Sequence, residues 1–235
     1  MCHSTLFGNS WKKIQQSFQI SNSGDFENRE PKRVFPRELN PVLIKDSEGS
    51  KIHEMTFALV PSWSKGQTVQ WSTHNARLER VSPKTGRFER IYEVPSWRGS
   101  FGTMHCIVPT DIFYDVCTQG NSGDWVEYGF SQSSGPLYAA GLFSKWSAPN
   151  NKHAPFYSYA IITTDSSRLI KGVGYDRMPT FLSESNAARW LSEHFENPSL
   201  AFDFLKDSIY HPDLTCEPVR KIEPTAYRIS GNQIQ

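Results

Sequence analysis

The first sustained pattern in the chain is helical: Trp11, Ile14 and Phe18 recur at i, i+3 and i+7, which predicts a short helix over 10–18 with Asn9 or Ser10 as its cap. A polar loop is expected at 21–31, followed by strands at 42–44 and 55–60 where apolar and β-branched residues cluster. The turn residues of 61–66 end the second strand, with Trp63 in their midst. Ser72 or Thr73 reads as the start of another short helix across 72–81. From His105 the pattern turns to β, with short aromatic and β-branched runs at 106–108, 112–116, 125–130, 137–143 and 157–163, separated by Gly, Asn, Ser and Pro. Near the end, Ser183 caps a helix carrying Ala187, Trp190, Leu191 and Phe195 on one face, and Pro198 opens another that runs to Asp207. Strands with a few helices give an α+β class: a single compact domain over 1–235, with an antiparallel sheet or barrel-like core and short flanking helices. Repeats, low-complexity tracts and linkers are absent from the sequence.

Composition narrows the function classes. The chain has 235 residues, is 37% hydrophobic and 13% aromatic, and carries a formal net charge of +1. That is enough apolar material for a sizeable core, and too little charge for broad affinity to nucleic acid. Any such contact has to come from local basic clusters, of which there are two: Lys32, Arg33 and Arg37, and the group Arg77, Arg80, Lys84, Arg87, Arg90 and Arg98. Taken alone, each reads more readily as a solvated face. The cysteines at 2, 106, 117 and 216 form no CxxC pair and have no zinc-site spacing, so no metal and no cofactor is expected. Without a secretory h-region or a long apolar run, the expectation is a soluble intracellular protein with reduced thiols and no membrane contact. The phosphate-cradling, dinucleotide, zincin and nucleophile-elbow motifs are likewise missing.

The candidate chemistry begins at Cys2. Removal of Met1 would give it a free amine, with an ordinary pKa of about 8, beside a thiol with one of about 8.5. An aldehyde condenses with the amine to an imine, and the thiol closes on the same carbon to form a thiazolidine. Read alone, a cysteine at this position is simply a frayed end. The motifs elsewhere change that reading. Residues 59–63 (Leu-Val-Pro-Ser-Trp), 75–79 (Asn-Ala-Arg-Leu-Glu), 106–109 (Cys-Ile-Val-Pro) leading to Phe113, Tyr114 and Asp115, and 175–179 (Tyr-Asp-Arg-Met-Pro), together with Cys2, resemble the SOS response-associated peptidase (SRAP) family.

The resemblance implies a protein that recognises an abasic site in single-stranded DNA, or at a junction of single and double strands. It implies a covalent crosslink to the opened sugar through Cys2, after self-removal of Met1. It further implies that Asn75 orients the cysteine and sugar, that Arg77 and Arg177 contact phosphates, that Trp63 stacks on a base and that Thr163 donates a hydrogen bond near the sugar. For Arg177 an ion pair with Asp176 or a surface carboxylate is the alternative. Asp115 stands where the family has an acid/base glutamate, Tyr175 where it has a histidine, and His3-Ser4 where it has Gly-Arg. Tyrosine, with an ordinary pKa of about 10, is a poor base at neutral pH, so His3 and His74 are candidates to take over proton transfer. Two alternatives stay open: a relative that grips single-stranded or damaged DNA without covalent chemistry, and a peptidase acting only on its own Met1. A monomer is expected, nucleoid-associated when bound to DNA.

Overall fold

The computed structural model describes residues 3–8, 10–20, 26, 29–119, 124–148 and 153–222. In chain order the elements are β1 (Ser4–Phe7), α1 (Trp11–Phe18), β2 (Lys32–Val34), β3 (Leu39–Asp46), β4 (Gly49–Phe57), β5 (Asn75–Arg77), β6 (Glu79–Val81), β7 (Phe88–Arg90), β8 (His105–Thr110), β9 (Ile112–Gln119), β10 (Asp124–Ser131), β11 (Leu137–Trp146), β12 (Phe156–Asp165), α2 (Arg168–Gly172), β13 (Arg177–Pro179), β14 (Phe181–Leu182), α3 (Glu184–Ser192), α4 (Pro198–Asp207) and β15 (Thr215–Ile222). The class is α+β, as the pattern predicts.

Five strands close on themselves: β12 pairs with β4, β4 with β3, β3 with β8, β8 with β11, and β11 again with β12. Closure removes the edges that an open sheet of these strands would expose. A second sheet runs in the order β15-β10-β9-β1-β2. β8, β11 and the middle of β12 are buried on both faces, and the period of two divides the barrel's side chains between two cores. Leu43, Ile107, Ala140 and Ile162 pack with Trp11, Ile14, Trp190 and Leu205 of the helices. Their neighbours Val42, Cys106, Ala139 and Ile161 pack with Phe113, Val126, Tyr128 and Phe130 of the five-stranded sheet. Gly141 in β11 is required by this closeness, since a Cβ there would lie 2.7 Å from Cys106 Sγ.

Three features depart from the sequence expectation. Asn9 lies outside the described residues, as do 21–25, 27 and 28 of the expected loop. Ser10 makes no side-chain cap to α1; its Oγ donates instead to Asp111 Oδ1 at 2.7 Å, tying the helix to the β8–β9 turn. The helix expected over 72–81 is two strands. There Ile161 N–H donates to His74 O at 3.0 Å and Leu78 N–H to Thr163 O at 2.8 Å, so pairing with β12 overrides the local preference of a polar, cap-like start. The face predicted for the helix after Ser183 also ends early: α3 stops at Ser192, and Phe195 reaches the core from the following loop, with its ring 5.9 Å from Trp190.

Candidate active site

The start of the chain is held from both sides. Ser4, Thr5 and Phe7 are buried, and β1 sits between β9 and β2, with Ser4 opposite Tyr114, Thr5 opposite both Phe113 and Val34, and Leu6 opposite Arg33. His3 N–H donates to Tyr114 O at 2.8 Å, so pairing with β9 continues to the first described residue. Cys2, the proposed nucleophile, lies outside the described residues, one peptide unit before this anchored point. The other cysteines are poor nucleophiles. Burial pushes the Cys106 thiol far above its ordinary range and that of Cys117 to about 12.

His3 and His74 both line one cleft of about 1000 Å³, with Phe35, Arg37, Trp71 and Arg220 among the other walls. Burial lowers the pKa of His3, and burial takes that of His74 to about 4, so both rings are neutral at pH 7. Ser72 Oγ lies 2.9 Å from His74 Nδ1. Trp63 does not line the cleft but stands beside it, 55% exposed and stacked on Trp71 with ring centroids 6.2 Å apart. Both indoles are fixed by their N–H groups: Trp63 Nε1 donates to Pro95 O at 3.3 Å and Trp71 Nε1 to Ser96 Oγ at 3.2 Å.

Behind the cleft, Asn75 is buried in β5 opposite Ile161 of β12. Asp115 is buried in β9 and faces the same way as Tyr128, its cross-strand neighbour in β10. Burial pushes its carboxyl up to about 7 and Asp176 adds to the rise, while the positive charge of the amino terminus and the Val116 N–H pull the other way. A carboxyl in that range can both give and take a proton at neutral pH. Tyr175 is partly buried against the same core as Phe113, and its backbone oxygen accepts a 2.7 Å hydrogen bond from Ser166 Oγ.

Arg177 forms a third group. Its guanidinium is buried, ion-paired with Asp165 at 3.1 Å and bonded to Thr163 O at 3.1 Å; Asp165 is a surface carboxylate, so the ion pair expected as the alternative is present, with Asp165 as the partner rather than Asp176. Burial lowers its pKa, and the nearby charge of Arg77 acts in the same direction. Thr163 is wholly buried, with Oγ1 3.5 Å from Arg177 Nη2, whereas Arg77 is exposed at the end of β5. Asn75, Arg77, Asp115, Thr163, Tyr175 and Arg177 are not among the residues lining the cleft.

Sequence reasoning missed a charged cluster around the chain start. Glu127 is completely buried and accepts from Arg33 Nη1 at 3.1 Å, Arg33 Nη2 at 2.5 Å and Arg220 Nε at 3.0 Å. Arg33 Nε donates to Ser4 Oγ at 2.8 Å, and its guanidinium lies 3.8 Å over the Tyr114 ring. The signal available was the alternation of 126, 128 and 130, which assigns Glu127 to the opposite face; nothing local shows that two arginines cover it there. Trp71 was missed because it falls between the motifs at 59–63 and 75–79. Among the described residues no group of three or more His, Cys, Asp or Glu side chains could hold a metal ion.

Comparison with known proteins places this arrangement. The chain is 27% identical over 199 residues to the abasic site processing protein YoqW of Bacillus subtilis (strain 168), covering 84% of this chain and 78% of that protein. It is 28% identical over 166 residues to YoaM, another abasic site processing protein of that organism, covering 70% of this chain and 67% of YoaM. It is 28% identical over 229 residues to the abasic site processing protein HMCES of Xenopus tropicalis, covering 85% of this chain and 64% of HMCES. Two solved structures share the fold at 18% identity and a TM-score of 0.70: a protein from Bordetella bronchiseptica, covering 93% of this chain and all (100%) of its own, and one from Bacteroides thetaiotaomicron, covering 99% and 97%. The model of the SOS response associated peptidase (SRAP) family matches residues 1–222, and the chain belongs to that family.

Proposed function

We propose that the protein processes abasic sites in single-stranded DNA, or at junctions of single and double strands, by forming a thiazolidine crosslink through Cys2. The observation that carries this reading is the anchoring of His3 on β9 next to Asp115, a buried carboxyl poised at about 7. An abasic deoxyribose is mostly a closed hemiacetal, and its opening needs a proton donor and acceptor, a task suited to Asp115. The open C1′ aldehyde takes the Cys2 amine, loses water as the imine forms, and then takes the Cys2 sulfur. The thiol proton passes to the imine nitrogen as the ring closes. The neutral imidazoles of His3 and His74, on the cleft beside this point, are placed to receive protons in either step. Asn75 serves to orient the sugar, Arg77, Arg177 and Thr163 to hold the strand or its sugar, and Trp63 to stack on a base. Self-removal of Met1 precedes the crosslink. A single copy suffices for the reaction, and the site of action is the intracellular DNA.

The test is a denaturing gel of the purified protein with a single-stranded oligonucleotide carrying one abasic site, beside an undamaged control, with intact mass to follow Met1. Wild type is expected to give a shifted band that survives denaturation only with the abasic strand, and Cys2→Ala to give none. An equal band from Cys2→Ala would remove the cysteine from the mechanism. A second reading, grip without covalent chemistry, is favoured by one feature: Tyr175 replaces the family histidine and packs partly buried against the core. A wild-type protein that binds the strand, retains Met1 and gives no shifted band would select it.

A further inference from the structure

Apart from the barrel and the five-stranded sheet, β6 and β7 form a hairpin that is a sheet of two strands by itself. Its base is fixed. Leu78 N–H donates to Thr163 O at 2.8 Å and Ile91 N–H to Leu78 O at 2.9 Å, while Glu79 accepts from Lys206 Nζ of α4 at 2.5 Å. The Arg90 guanidinium lies over the Phe202 ring of α4, 5.7 Å from its centroid. The outer half stands clear: Val81 is 65% and Phe88 56% exposed, the two highest values among the large hydrophobic side chains of the described residues.

These two side chains are neighbours. Val81 pairs with Phe88 across the hairpin, so both lie on one face, the face that meets α4 through Glu79 and Arg90. Two strands alone are marginal in water, and a third strand covering an apolar face is what makes such a unit stable. The main chain is open to one. Ser82 N–H donates inward to Arg87 O at 2.8 Å, so by alternation the N–H and C=O groups of Val81 and Phe88 point away from each other, toward the outer edges of the hairpin.

The charges of the hairpin do not balance. Glu79 is paired with Lys206, and Glu89 with Arg80 at 2.8 Å, so both of its acids are committed within the chain. Lys84, Arg87 and Arg90 are left as cations with no ion pair among the described residues. The chain as a whole is nearly neutral, at +1, so this excess is local. An apolar pair, an open strand edge and a cationic turn select the occupant together. Phosphates would meet the cations and leave the apolar pair and the edge uncovered, and a second copy would bring the same cations face to face. An extended acidic segment with apolar residues at alternate positions satisfies all three.

We propose that the β6–β7 hairpin is a docking edge for a partner protein, an acidic extended segment of which joins it as a third strand, covers Val81 and Phe88 with its apolar side chains and sets carboxylates against Lys84 and Arg87. Main-chain hydrogen bonds supply the grip, and the apolar pair and the cations supply the selectivity. The docking is independent of the crosslinking chemistry, because the hairpin carries none of the residues to which that chemistry is assigned. Its base nevertheless adjoins Arg77 through Leu78, so a partner held there stands beside the strand that carries Asn75 and Arg77.

The experiment is fluorescence anisotropy of the full chain with a set of labelled peptides of about eight residues, strand length, in which Asp or Glu alternates with Val, Ile, Phe or Tyr, beside a matched set with Lys in place of the acids. Wild type, Phe88→Thr, Val81→Thr and Lys84→Glu are compared, each checked for folding by thermal melting. Wild type is expected to bind members of the acidic set and not of the lysine set, more weakly as salt rises. Phe88→Thr is expected to weaken the best acidic peptide about tenfold, and Lys84→Glu by a similar factor. A proline scan along that peptide is expected to lose binding at every second position, because only alternate N–H groups face the hairpin. A flat scan would exclude strand addition and overturn the proposal. So would folded wild type that binds no acidic peptide, or a folded Phe88→Thr protein that binds as wild type does. If Phe88→Thr does not fold, Val81→Thr and Lys84→Glu decide on the same measure. Variants that weaken a duplex or single-stranded oligonucleotide but not the peptide would assign the hairpin to DNA, and a dimer in light scattering that Val81→Thr dissolves would assign it to a second copy; either result overturns the proposal. Phe88→Thr is expected to crosslink abasic DNA like wild type, so loss of the crosslink in wild type would reject the proposed function and leave the docking edge standing.

Discussion

Asp115 and Glu127 lie on adjacent strands of one sheet, one residue out of register, and are both buried, yet they are opposite kinds of carboxylate. Asp115 faces the core with Tyr128; Glu127 pairs with Val116 and therefore faces the other side. At Glu127 burial acts to raise the pKa, but the hydrogen bonds and charges of Arg33 and Arg220 outweigh it and hold the carboxyl below its ordinary range. At Asp115 burial prevails and the carboxyl rises to about 7. Burial alone therefore does not decide the protonation of a carboxyl; the partners brought by other strands do. One of the pair is a fixed charge that orders the chain start and holds Arg220, and the other can carry a proton in the chemistry we propose.

The largest effect that tests this contrast is on stability. Glu127→Ala leaves Arg33 without its buried partner and is expected to cost about 3–5 kcal/mol in urea unfolding. A loss below about 1 kcal/mol would mean that the pair behaves as an exposed one. Next in size is a kinetic effect. Asp115→Asn keeps the volume but cannot transfer a proton, and should slow single-turnover crosslinking of an abasic strand by about 10²-fold or more. An unchanged rate would pass the role to His3 or His74, which the corresponding alanine variants would then reveal.

Truncating the aromatic wall should do less. Trp71→Ala is expected to weaken single-strand binding by about 1–3 kcal/mol with little change in salt slope, because stacking carries no counterion. A changed slope would show that the loop, and not the ring, had been lost.

A further effect is on the pH dependence of stability. The Asp115 carboxyl sits at about 7 when folded against an ordinary 3.8, so its contribution to stability is full below the lower value and is lost as pH rises through the upper one. His74 and His105 run the other way: burial takes both from 6.5 to about 4, so their contribution is full above 6.5 and is lost as pH falls toward 4. Asp115→Asn should therefore raise the melting temperature, relative to wild type, more at pH 8 than at pH 5. An equal offset at both would deny the shift.

Much of the fold was legible because burial leaves a period in the sequence. Trp11, Ile14 and Phe18 mark α1, and the apolar runs of β8 to β12 mark strands buried on both faces. What escaped was whatever long-range pairing decides. β2 has three residues, and β15 is exposed along most of its length, so neither carries a period to read. The polar run before Asn75 imitates a helix cap, and only the edge of β12 turns it into a strand. In the site, the motif residues could be picked out one at a time, but their grouping could not. Arg177 with Asp165 and Thr163, or His3 with His74 on one cleft, depends on strands distant in sequence meeting in space. Lys32, Arg33 and Arg37 read as a solvated cluster, whereas Arg33 is committed to Glu127 and Arg37 lines the cleft.

The contrast between the two carboxylates is tested most directly by NMR titration of their side-chain carbons in the folded protein, assigned with Asp115→Asn and Glu127→Gln. The account predicts that the Asp115 resonance titrates with a midpoint at about 7 and that the Glu127 resonance does not move until the pH is below the ordinary glutamate range. Asp115 titrating as an ordinary aspartate, or Glu127 taking up its proton first as the pH falls, would contradict it.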